Sequence, residues 1–216
     1  MDVLITGTSK GIGRATAAKF LKAGYNVWGL DRRPSTIVHE GYTHYMCDVS
    51  RPETLPDLKA MHIVINNAGT QCDAEAIEVN LMGVINVTKK YAFQRHIRAV
   101  VNVASTSAHN GAEFPLYSAS KGGVLAYTKH TALQIAGYGA TCNSISPGGV
   151  LTDMNEHILN NLELWSQVMD EVLLPKWATA EEIAEWIYFV AVINKSMTAQ
   201  DIIIDNGELS KANFVW

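Results

Sequence analysis

The sequence predicts an α/β fold in which a doubly wound, mostly parallel sheet of seven strands carries helices on both faces. Short runs rich in β-branched apolar residues alternate with longer segments of helical periodicity. Several short runs hold consecutive apolar residues, which is typical of parallel strands covered on both faces. Prolines and glycines fall between these segments, and no repeat or linker separates them into groups. One domain over residues 1–216 is therefore predicted.

The strands and helices are predicted from these two periodicities. The strands are residues 3–6, 26–30, 43–46, 62–65, 99–104, 141–145 and 202–204. The helices, in which apolar residues recur three or four positions apart, are residues 13–23, 75–95, 116–136 and 181–192. The last helix has a start signal, because Thr179 stands three residues before Glu182 in the pattern of a capping box.

The composition is that of an ordinary folded protein. Of the 216 residues, 48% are hydrophobic and 18% are charged, and 17 basic against 21 acidic side chains give a net charge of −4. A chain of this length buries about 70% of the surface that its unfolded form exposes, so a sizeable core is expected. The composition disfavours disordered, collagen-like and coiled-coil proteins, and the negative charge disfavours binding to nucleic acid.

Neither a metal site nor a disulfide framework is indicated. Cys47, Cys72 and Cys142 form no C-x-x-C pair, and the seven histidines include no H-E-x-x-H pattern. No apolar stretch reaches the roughly 18 residues of a membrane span, and Met1 is followed by Asp2 rather than by the basic segment of a signal peptide. We therefore predict a cytoplasmic protein with reduced thiols, no metal and no membrane partner.

A glycine-rich loop, T-G-T-S-K-G-I-G at residues 6–13, stands between the first strand and the first helix. Its glycines allow a tight turn and bring backbone N–H groups and the positive helix end against a diphosphate. The loop lacks the G-K-S/T of a Walker motif, which disfavours a nucleoside triphosphate. The loop residues assigned to cofactor binding are Gly7, Ser9, Lys10, Gly11, Ile12 and Gly13.

Asp31 stands directly after the second predicted strand, eighteen residues after Gly13. A carboxylate near this distance accepts hydrogen bonds from the adenosine ribose of a dinucleotide and repels a 2′-phosphate, which favours NAD over NADP. Two unit charges 4 Å apart near a surface interact by roughly 4 kcal/mol, enough for one carboxylate to decide the preference. NADP stays open as an alternative, because Lys10, Arg32 and Arg33 neutralise a further phosphate if they turn inward.

Six motifs, in order along nearly the whole chain, resemble the short-chain dehydrogenase/reductase family. They are T-G-x-x-x-G-I-G at residues 6–13, N-N-A-G at 66–69, Asn80 in V-N-L, Ser105 after the fifth strand, Tyr117 and Lys121 in Y-x-x-x-K, and P-G-G-V-L-T at 147–152. Each motif is common by itself, whereas the ordered set is specific. The resemblance implies a Rossmann-type fold and a nicotinamide-dependent oxidoreductase that acts on a small-molecule alcohol or carbonyl.

By this resemblance, four residues would form the catalytic group. Tyr117 would be the general acid/base, and Lys121 would also hold the nicotinamide ribose. Ser105 would hydrogen-bond the reacting oxygen, while Asn80 would position a water that links the lysine to solvent. Ser105 lies twelve residues before Tyr117, one fewer than the family's usual spacing, so Ser107 stays open as an alternative. We prefer Ser105, because it directly follows a strand at the ligand-binding edge of such a sheet.

The resemblance assigns further residues to the cofactor. One group follows the sixth strand and would contact the nicotinamide carboxamide or a phosphate, and the others surround the adenosine. The first group is Pro147, Gly148, Val150 and Thr152, and the second is Asp48, Val49, Asn67, Ala68 and Gly69, which join Asp31 and Arg32 at the end of the second strand.

Tyr117 and Lys121 are four residues apart on a predicted helix, so their side chains lie on one face. Lowering the pKa of a tyrosine from near 10 to about 7 takes roughly 4 kcal/mol of preference for the phenolate. An ammonium group 4 to 5 Å away supplies roughly 3 to 4 kcal/mol at an effective dielectric constant of 20. The pair therefore predicts a tyrosine that exchanges protons near neutral pH.

Two intervals are shorter than the family pattern. The eleven positions of residues 70–80 replace an interval in which the family usually fits an additional helix, which we expect to be lost or reduced to a turn. The interval before the fourth strand is also short, and its crossover helix is expected only over residues 52–59.

Residues 152–177 are predicted to form a lid over the substrate. The apolar residues that recur there at helical spacing are Ile158, Leu162, Trp165, Met169 and Val172. Such a stripe packs against the body, meets substrate and excludes water, or does both. If it meets substrate, a largely hydrophobic alcohol or ketone fits better than a phosphorylated sugar.

Two functions are compatible with these residues. The first is an oxidoreductase that transfers a hydride between a nicotinamide cofactor, preferably NAD, and a secondary alcohol or ketone. The alternative is a catalytically silent dinucleotide-binding redox sensor, for which the proton relay would be superfluous. In the family, helices equivalent to residues 75–95 and 116–136 form a subunit interface, so a homodimer or homotetramer is expected.

Overall fold

Seven strands form the central sheet of the computed structural model, which describes residues 1–112 and 114–211. In chain order the strands are β1 Asp2–Thr6, β2 Asn26–Asp31, β3 Tyr42–Met46, β4 Ile63–Asn66, β5 Ala99–Val103, β6 Thr141–Pro147, β7 Val150–Leu151, β8 Ala178–Thr179 and β9 Asp201–Ile204. The order across the main sheet is β3-β2-β1-β4-β5-β6-β9, and all its pairs are parallel. β7 and β8 pair with each other in a small second sheet.

The strand order reverses beside β1. The chain moves outward from β1 through β2 to β3 and then returns to the other side of β1 as β4. Such a reversal leaves a crevice at the carboxyl ends of the strands, where doubly wound sheets bind ligands. The predicted Rossmann-type α/β fold is confirmed, and the main sheet is parallel throughout rather than mostly parallel.

Helices cover both faces of the sheet. In chain order they are α1 Gly11–Lys22, α2 Asp73–Ala76, α3 Gly83–Tyr91, α4 Ser107–Asn110, α5 Pro115–Ile135, α6 Glu156–Leu159, α7 Leu162–Met169 and α8 Ala180–Tyr188. One π-helical turn, Ile77–Met82, joins α2 to α3, and another, Phe189–Ile193, extends α8. The predicted capping box starts α8, since Thr179 Oγ1 accepts from the Glu182 N–H at 3.1 Å and Glu182 Oε2 accepts from the Thr179 N–H at 2.9 Å.

Alternation along β1 divides the core between the two faces of the sheet. Val3 and Ile5 lie in the cluster that contains Phe20 of α1 and Ile187 of α8. Leu4 lies in the opposite cluster, with residues of α3 and α5. All three β1 residues are fully buried, because helices cover the strand on both sides.

The seven predicted strands and four predicted helices are all found, with shifted ends. The helix predicted at residues 75–95 is a continuous run of α2, the π-helical turn and α3. The additional helix expected to be lost or reduced is the four-residue α2. The sequence did not predict α4, β7 or β8, which are too short to show a periodicity.

The prediction of a crossover helix at residues 52–59 is wrong. The structure has only a 3₁₀ turn there, Pro52–Thr54. Leu55 ends that turn in extended conformation, with φ −69° and ψ 124°. The cause is Pro56, because a proline disfavours helical backbone at the residue before it.

The apolar stripe predicted within residues 152–177 is not one continuous surface. α6 ends at Leu159, and Asn161 starts α7 as its cap by accepting from the Glu163 N–H at 3.1 Å. Leu162 is 86% exposed, so it does not share a buried surface with the other stripe residues, whereas Val172 is buried.

Candidate active site

A cavity of 760 Å³ lies at the carboxyl ends of the strands nearest the reversal. All the predicted site residues line it except Ser9, Gly13 and Asn80. The cavity also has lining residues that the sequence did not assign, among them Thr106, Phe114, Gly149, Glu171, Trp177 and Glu208. The structure therefore brings residues from many separate segments to the place where the fold predicts a ligand.

The glycine loop forms one wall of the cavity and fits a diphosphate. Gly7 and Gly11 have φ angles of +74° and +53°, which residues with side chains rarely adopt. A Cβ on Gly13 would lie 2.1 Å from the Gly7 carbonyl oxygen, so α1 packs directly on the loop. Lys10, the N-cap of α1, makes no side-chain cap, and the first turn contains no acidic residue. The first N–H groups of α1 can therefore bind an anion.

Asp31 faces the cavity with both carboxylate oxygens fixed by backbone groups. Its Oδ2 accepts from the Ser9 N–H and its Oδ1 from the Arg33 N–H, both at 2.9 Å. Ser9 Oγ in turn donates to the Arg33 carbonyl at 3.0 Å. Ser9 thus positions Asp31 rather than lining the cavity itself. Each carboxylate oxygen retains a second lone pair for a ligand hydroxyl.

Asp48 carries a second carboxylate at the same end of the cavity. Its Oδ1 accepts from the Ser50 N–H at 2.9 Å and from the Ser50 hydroxyl at 2.7 Å. Burial alone would raise the pKa of Asp48, but these hydrogen bonds and the nearby Arg51 and Arg32 lower it overall. Asp48 is therefore an anion at neutral pH.

Thr6 holds the loop after β4 against the glycine loop. Its Oγ1 accepts from the N–H groups of Asn67 and Ala68, both at 2.9 Å. Asn67 Nδ2 donates back to the Thr6 carbonyl at 3.0 Å. A Cβ on Gly7 would lie 2.8 Å from Asn67 Nδ2, so this contact requires a glycine.

Tyr117 and Lys121 lie on one face of α5 and are almost fully buried, at 8% and 5% exposed. Lys121 Nζ donates to the Val103 carbonyl at 2.9 Å and lies 5.8 Å from the centroid of the Tyr117 ring. The end of β5 thus holds the ammonium group beside the phenol. Both side chains line the cavity.

Ser105, rather than Ser107, is the serine that lines the cavity. Ser107 is 3% exposed, and its N–H donates to Ser105 Oγ at 3.2 Å. The two hydroxyl oxygens are 3.1 Å apart. Ser107 therefore contacts Ser105 from behind the cavity wall, and Ser105 is the serine that can meet a ligand.

Asn80 lies in the π-helical turn behind the cavity wall. Its Oδ1 accepts from the Thr70 N–H at 2.8 Å, and its Nδ2 donates to the Thr70 carbonyl at 3.0 Å and to Ser120 Oγ at 3.1 Å. A Cβ on Gly69 would lie 3.2 Å from Asn80 Oδ1 and 3.6 Å from Lys121 Nζ. Gly69 thus lets the amide and the ammonium group approach each other.

Asp73 supports the site and was missed by the sequence analysis. Its Oδ1 accepts from the N–H groups of Leu116 and Tyr117, at 2.8 and 3.0 Å. Phe114, the N-cap residue of α5, makes no side-chain cap, so Asp73 supplies one from another part of the chain. No local pattern signals this contact, because it depends on how α2 packs against α5.

The far side of the cavity is built from the segment after β6 and from the predicted lid. A Cβ on Gly149 would lie 2.0 Å from Trp177 Nε1, so the indole packs directly on this glycine. Ile158, Val168 and Val172 of the lid also line the cavity. This segment therefore lines the cavity with both apolar side chains and the polar Asp153, His157 and Glu171, and only part of the predicted stripe contributes.

The described residues, 1–112 and 114–211, contain neither a metal-binding cluster nor a membrane-spanning helix. No group of three or more histidine, cysteine or acidic side chains among them is placed to hold a metal ion. None of their helices is long and apolar enough to cross a bilayer.

Comparison with known proteins identifies relatives over nearly the full length. The family model for short chain dehydrogenases matches residues 2–163. The chain is 28% identical to 2-(R)-hydroxypropyl-CoM dehydrogenase of Xanthobacter autotrophicus over 87% of this chain and 90% of that protein. It is 27% identical to 3-oxoacyl-(acyl-carrier-protein) reductase FabG of Staphylococcus aureus over 95% and 97%.

A solved structure, that of 4-hydroxyisoleucine dehydrogenase complexed with NADH, has the same fold. It superposes with a TM-score of 0.87 at 26% identity, and the match covers 98% of this chain and 99% of that chain. Because the family model spans well over half of the sequence, the assignment does not depend on fold similarity alone. The chain belongs to the short-chain dehydrogenase/reductase family.

Proposed function

We propose that this protein is a nicotinamide-dependent oxidoreductase that interconverts a secondary alcohol and a ketone. The observation that carries the proposal is the placement of Tyr117, Lys121 and Ser105 on the same cavity as the glycine loop. Family membership and the dehydrogenase and reductase among its relatives support an oxidoreductase. Hydride transfer needs a site that holds the cofactor diphosphate and, close to it, a group that exchanges a proton with the substrate. This cavity would supply both.

The proposed cofactor is NAD. When bound, the nicotinamide ring supplies or accepts the hydride. Gly7, Gly11 and the start of α1 would hold the diphosphate, and Asp31 would accept hydrogen bonds from the adenosine ribose and repel a 2′-phosphate. The solved relative in complex with NADH supports a nicotinamide cofactor.

Tyr117 is the proposed general acid/base. Lys121 favours the phenolate form, because its ammonium group is held beside the ring by the Val103 carbonyl. Ser105 Oγ would hydrogen-bond the substrate oxygen that exchanges its proton with Tyr117. Tyr117 accepts that proton in alcohol oxidation and donates it in carbonyl reduction. Asn80 would hold a water beside the lysine, through which the proton reaches solvent.

The proposed substrate is a largely hydrophobic alcohol or ketone. The proposal is supported by Ile158, Val168, Val172 and Trp177, which supply apolar surface on the lid side of the cavity next to the polar Asp153, His157 and Glu171. We propose that residues 152–177 close over the substrate and exclude water, which strengthens the electrostatic interactions inside.

The experiment that tests this function replaces Tyr117 with Phe, which removes one hydroxyl and keeps the ring. We expect turnover of every accepted substrate to fall by about 10² to 10⁴, because proton transfer loses its donor and acceptor. NADH binding, followed by fluorescence titration, should remain. Tyr138→Phe is the matched control, since Tyr138 is 41% exposed and does not line the cavity. Undiminished turnover in Tyr117→Phe would remove this residue from the mechanism.

A further inference from the structure

An ion pair crosses the crevice above β1. Arg32 Nη1 lies 3.7 Å from Glu75 Oε2. Arg32 directly follows β2, whereas Glu75 lies in α2, which follows β4. Because β2 and β4 flank β1 on opposite sides, the pair spans the crevice over the glycine loop that follows β1.

Glu75 is held in this position by its short helix. Asp73, two residues earlier in α2, is fixed to the first turn of α5 through the N–H groups of Leu116 and Tyr117. Thr70, just before α2, is fixed to the Asn80 side chain by two hydrogen bonds. The segment is therefore anchored at Thr70 and Asp73, just before Glu75, and the Glu75 carboxylate faces Arg32, which lines the cavity.

Lys10, Arg32 and Arg33 all line the cavity, and Arg32 is the one that is paired with the Glu75 carboxylate. Arg32 lines the end of the cavity that also contains Asp31 and Asp48. An arginine is the preferred partner of a phosphate group, because its planar fork matches two oxygens. In this structure the guanidinium group of Arg32 faces the Glu75 carboxylate instead.

We propose that Glu75 is a specificity-determining residue that selects against NADP by holding the Arg32 guanidinium group away from a 2′-phosphate. This inference rests on the proposed function. A ribose with a free 2′-hydroxyl leaves the ion pair intact, whereas a 2′-phosphate has to draw Arg32 away from Glu75. Both side chains are about half exposed, at 55% and 52%, so solvent limits the effect to a few-fold difference in affinity.

The test is a fluorescence titration of the full chain with NADH and NADPH, comparing wild type with Glu75→Gln. The ratio of the NADPH to the NADH dissociation constant should fall about fivefold, the upper range for an exposed ion pair. Glu78→Gln is the matched control. Glu78 is exposed, and its substitution removes the same charge one helical turn away from Glu75. In the double variant Glu75→Gln/Arg32→Gln the gain should disappear, since no guanidinium group is released.

The outcomes separate this inference from the proposed function. A fall of less than threefold in Glu75→Gln, an equal fall in Glu78→Gln, or a gain that persists without Arg32 would overturn the role of Glu75. If wild type binds neither dinucleotide, the proposed function itself is wrong. Calorimetry with adenosine 2′,5′-bisphosphate and 5′-AMP repeats the comparison without a nicotinamide, and the same preference should appear there.

Discussion

Cys47 lies on the cavity wall beside two carboxylates, and these surroundings suppress its thiolate. Burial raises the pKa of Cys47 to about 11, and the negative charges of Asp48 and Asp31 add to this effect. At pH 8 about one Cys47 side chain in a thousand is therefore ionised. Cys72, by contrast, is exposed.

We predict that iodoacetamide at pH 8 alkylates Cys72 and leaves Cys47 unmodified over the same period. The thiolate is the reacting form, so raising the pH from 8 to 10 should increase the Cys47 rate by about a hundredfold while the fold persists. Peptide mapping by mass spectrometry measures both rates. Equal alkylation of the two cysteines at pH 8 would contradict the raised pKa.

Site residues that sequence analysis found belong to short local motifs, and the residues it missed do not. Gly7, Tyr117 and Lys121 were found because spacing within one loop or one helix fixes their relation. Trp177 reaches the cavity only through the packing of the lid, which no local pattern describes. The one trace of it in the sequence is Gly149, whose missing side chain leaves room for the indole.

Among the secondary-structure elements, α5 depends on a cap from outside itself. Its N-cap residue, Phe114, has no polar side-chain atom, and the Asp73 carboxylate takes the place of a local cap. The negative charge also interacts favourably with the positive end of the helix. The stability of the helix that carries Tyr117 is thus linked to α2.

We predict that Asp73→Ala lowers the free energy of unfolding by about 1 kcal/mol, the usual cost of losing a cap, and lowers kcat. Asp73→Asn should retain most of both, because its side-chain oxygen still accepts the two hydrogen bonds. Urea denaturation and steady-state kinetics make the measurements. If Asp73→Ala behaves like wild type in both, Asp73 does not position α5.

Element prediction succeeded where the pattern is local. The seven strands and four long helices coincide with continuous apolar runs or sustained periodicities in the sequence. These patterns are local, so they do not depend on how the rest of the chain packs. The helix predicted at residues 52–59 does not form, because Pro56 disfavours helical backbone at the preceding residue, Leu55. The π-helical turn was also not predicted, since i→i+5 geometry arises from packing and leaves no period in the sequence.

At the scale of the whole molecule, a buried network of polar side chains connects helices α3 and α5 to the central sheet. Asn66 Nδ2 on β4 donates to Asn102 Oδ1 on β5 at 2.8 Å and to Thr88 Oγ1 of α3 at 3.0 Å. Asn102 Nδ2 donates to Thr128 Oγ1 of α5 at 2.9 Å. All four side chains are buried, so a shift of α3 or α5 would leave polar atoms without partners and without water.

The outer surface of α5 exposes an apolar side chain where we expect a contact between subunits. Leu133 is 77% exposed in the single chain, on one of the two helices that we expect at a subunit interface. We predict that native mass spectrometry at micromolar concentration shows a homodimer or homotetramer, and that Leu133→Glu shifts it to smaller species. Leu162→Glu, at a position on α7 that is 86% exposed, should leave the mass unchanged. A monomeric wild-type protein would contradict the expected interface.

The wide turn Ile77–Met82 makes this region sensitive to chain length as well as to the identity of Asn80. Its Gly83 N–H donates to the Glu78 carbonyl, five residues back, so the turn accommodates one residue more than an ordinary helical ladder. Removing one residue there would allow the ordinary i→i+4 ladder and abolish the wide turn. Point substitutions outside Asn80 leave the turn intact, whereas a one-codon deletion would change the position from which the Asn80 side chain bonds to Thr70. Variation among natural or engineered versions of this chain should therefore keep Asn80 and the length of the turn, and tolerate replacement at its exposed position Glu78.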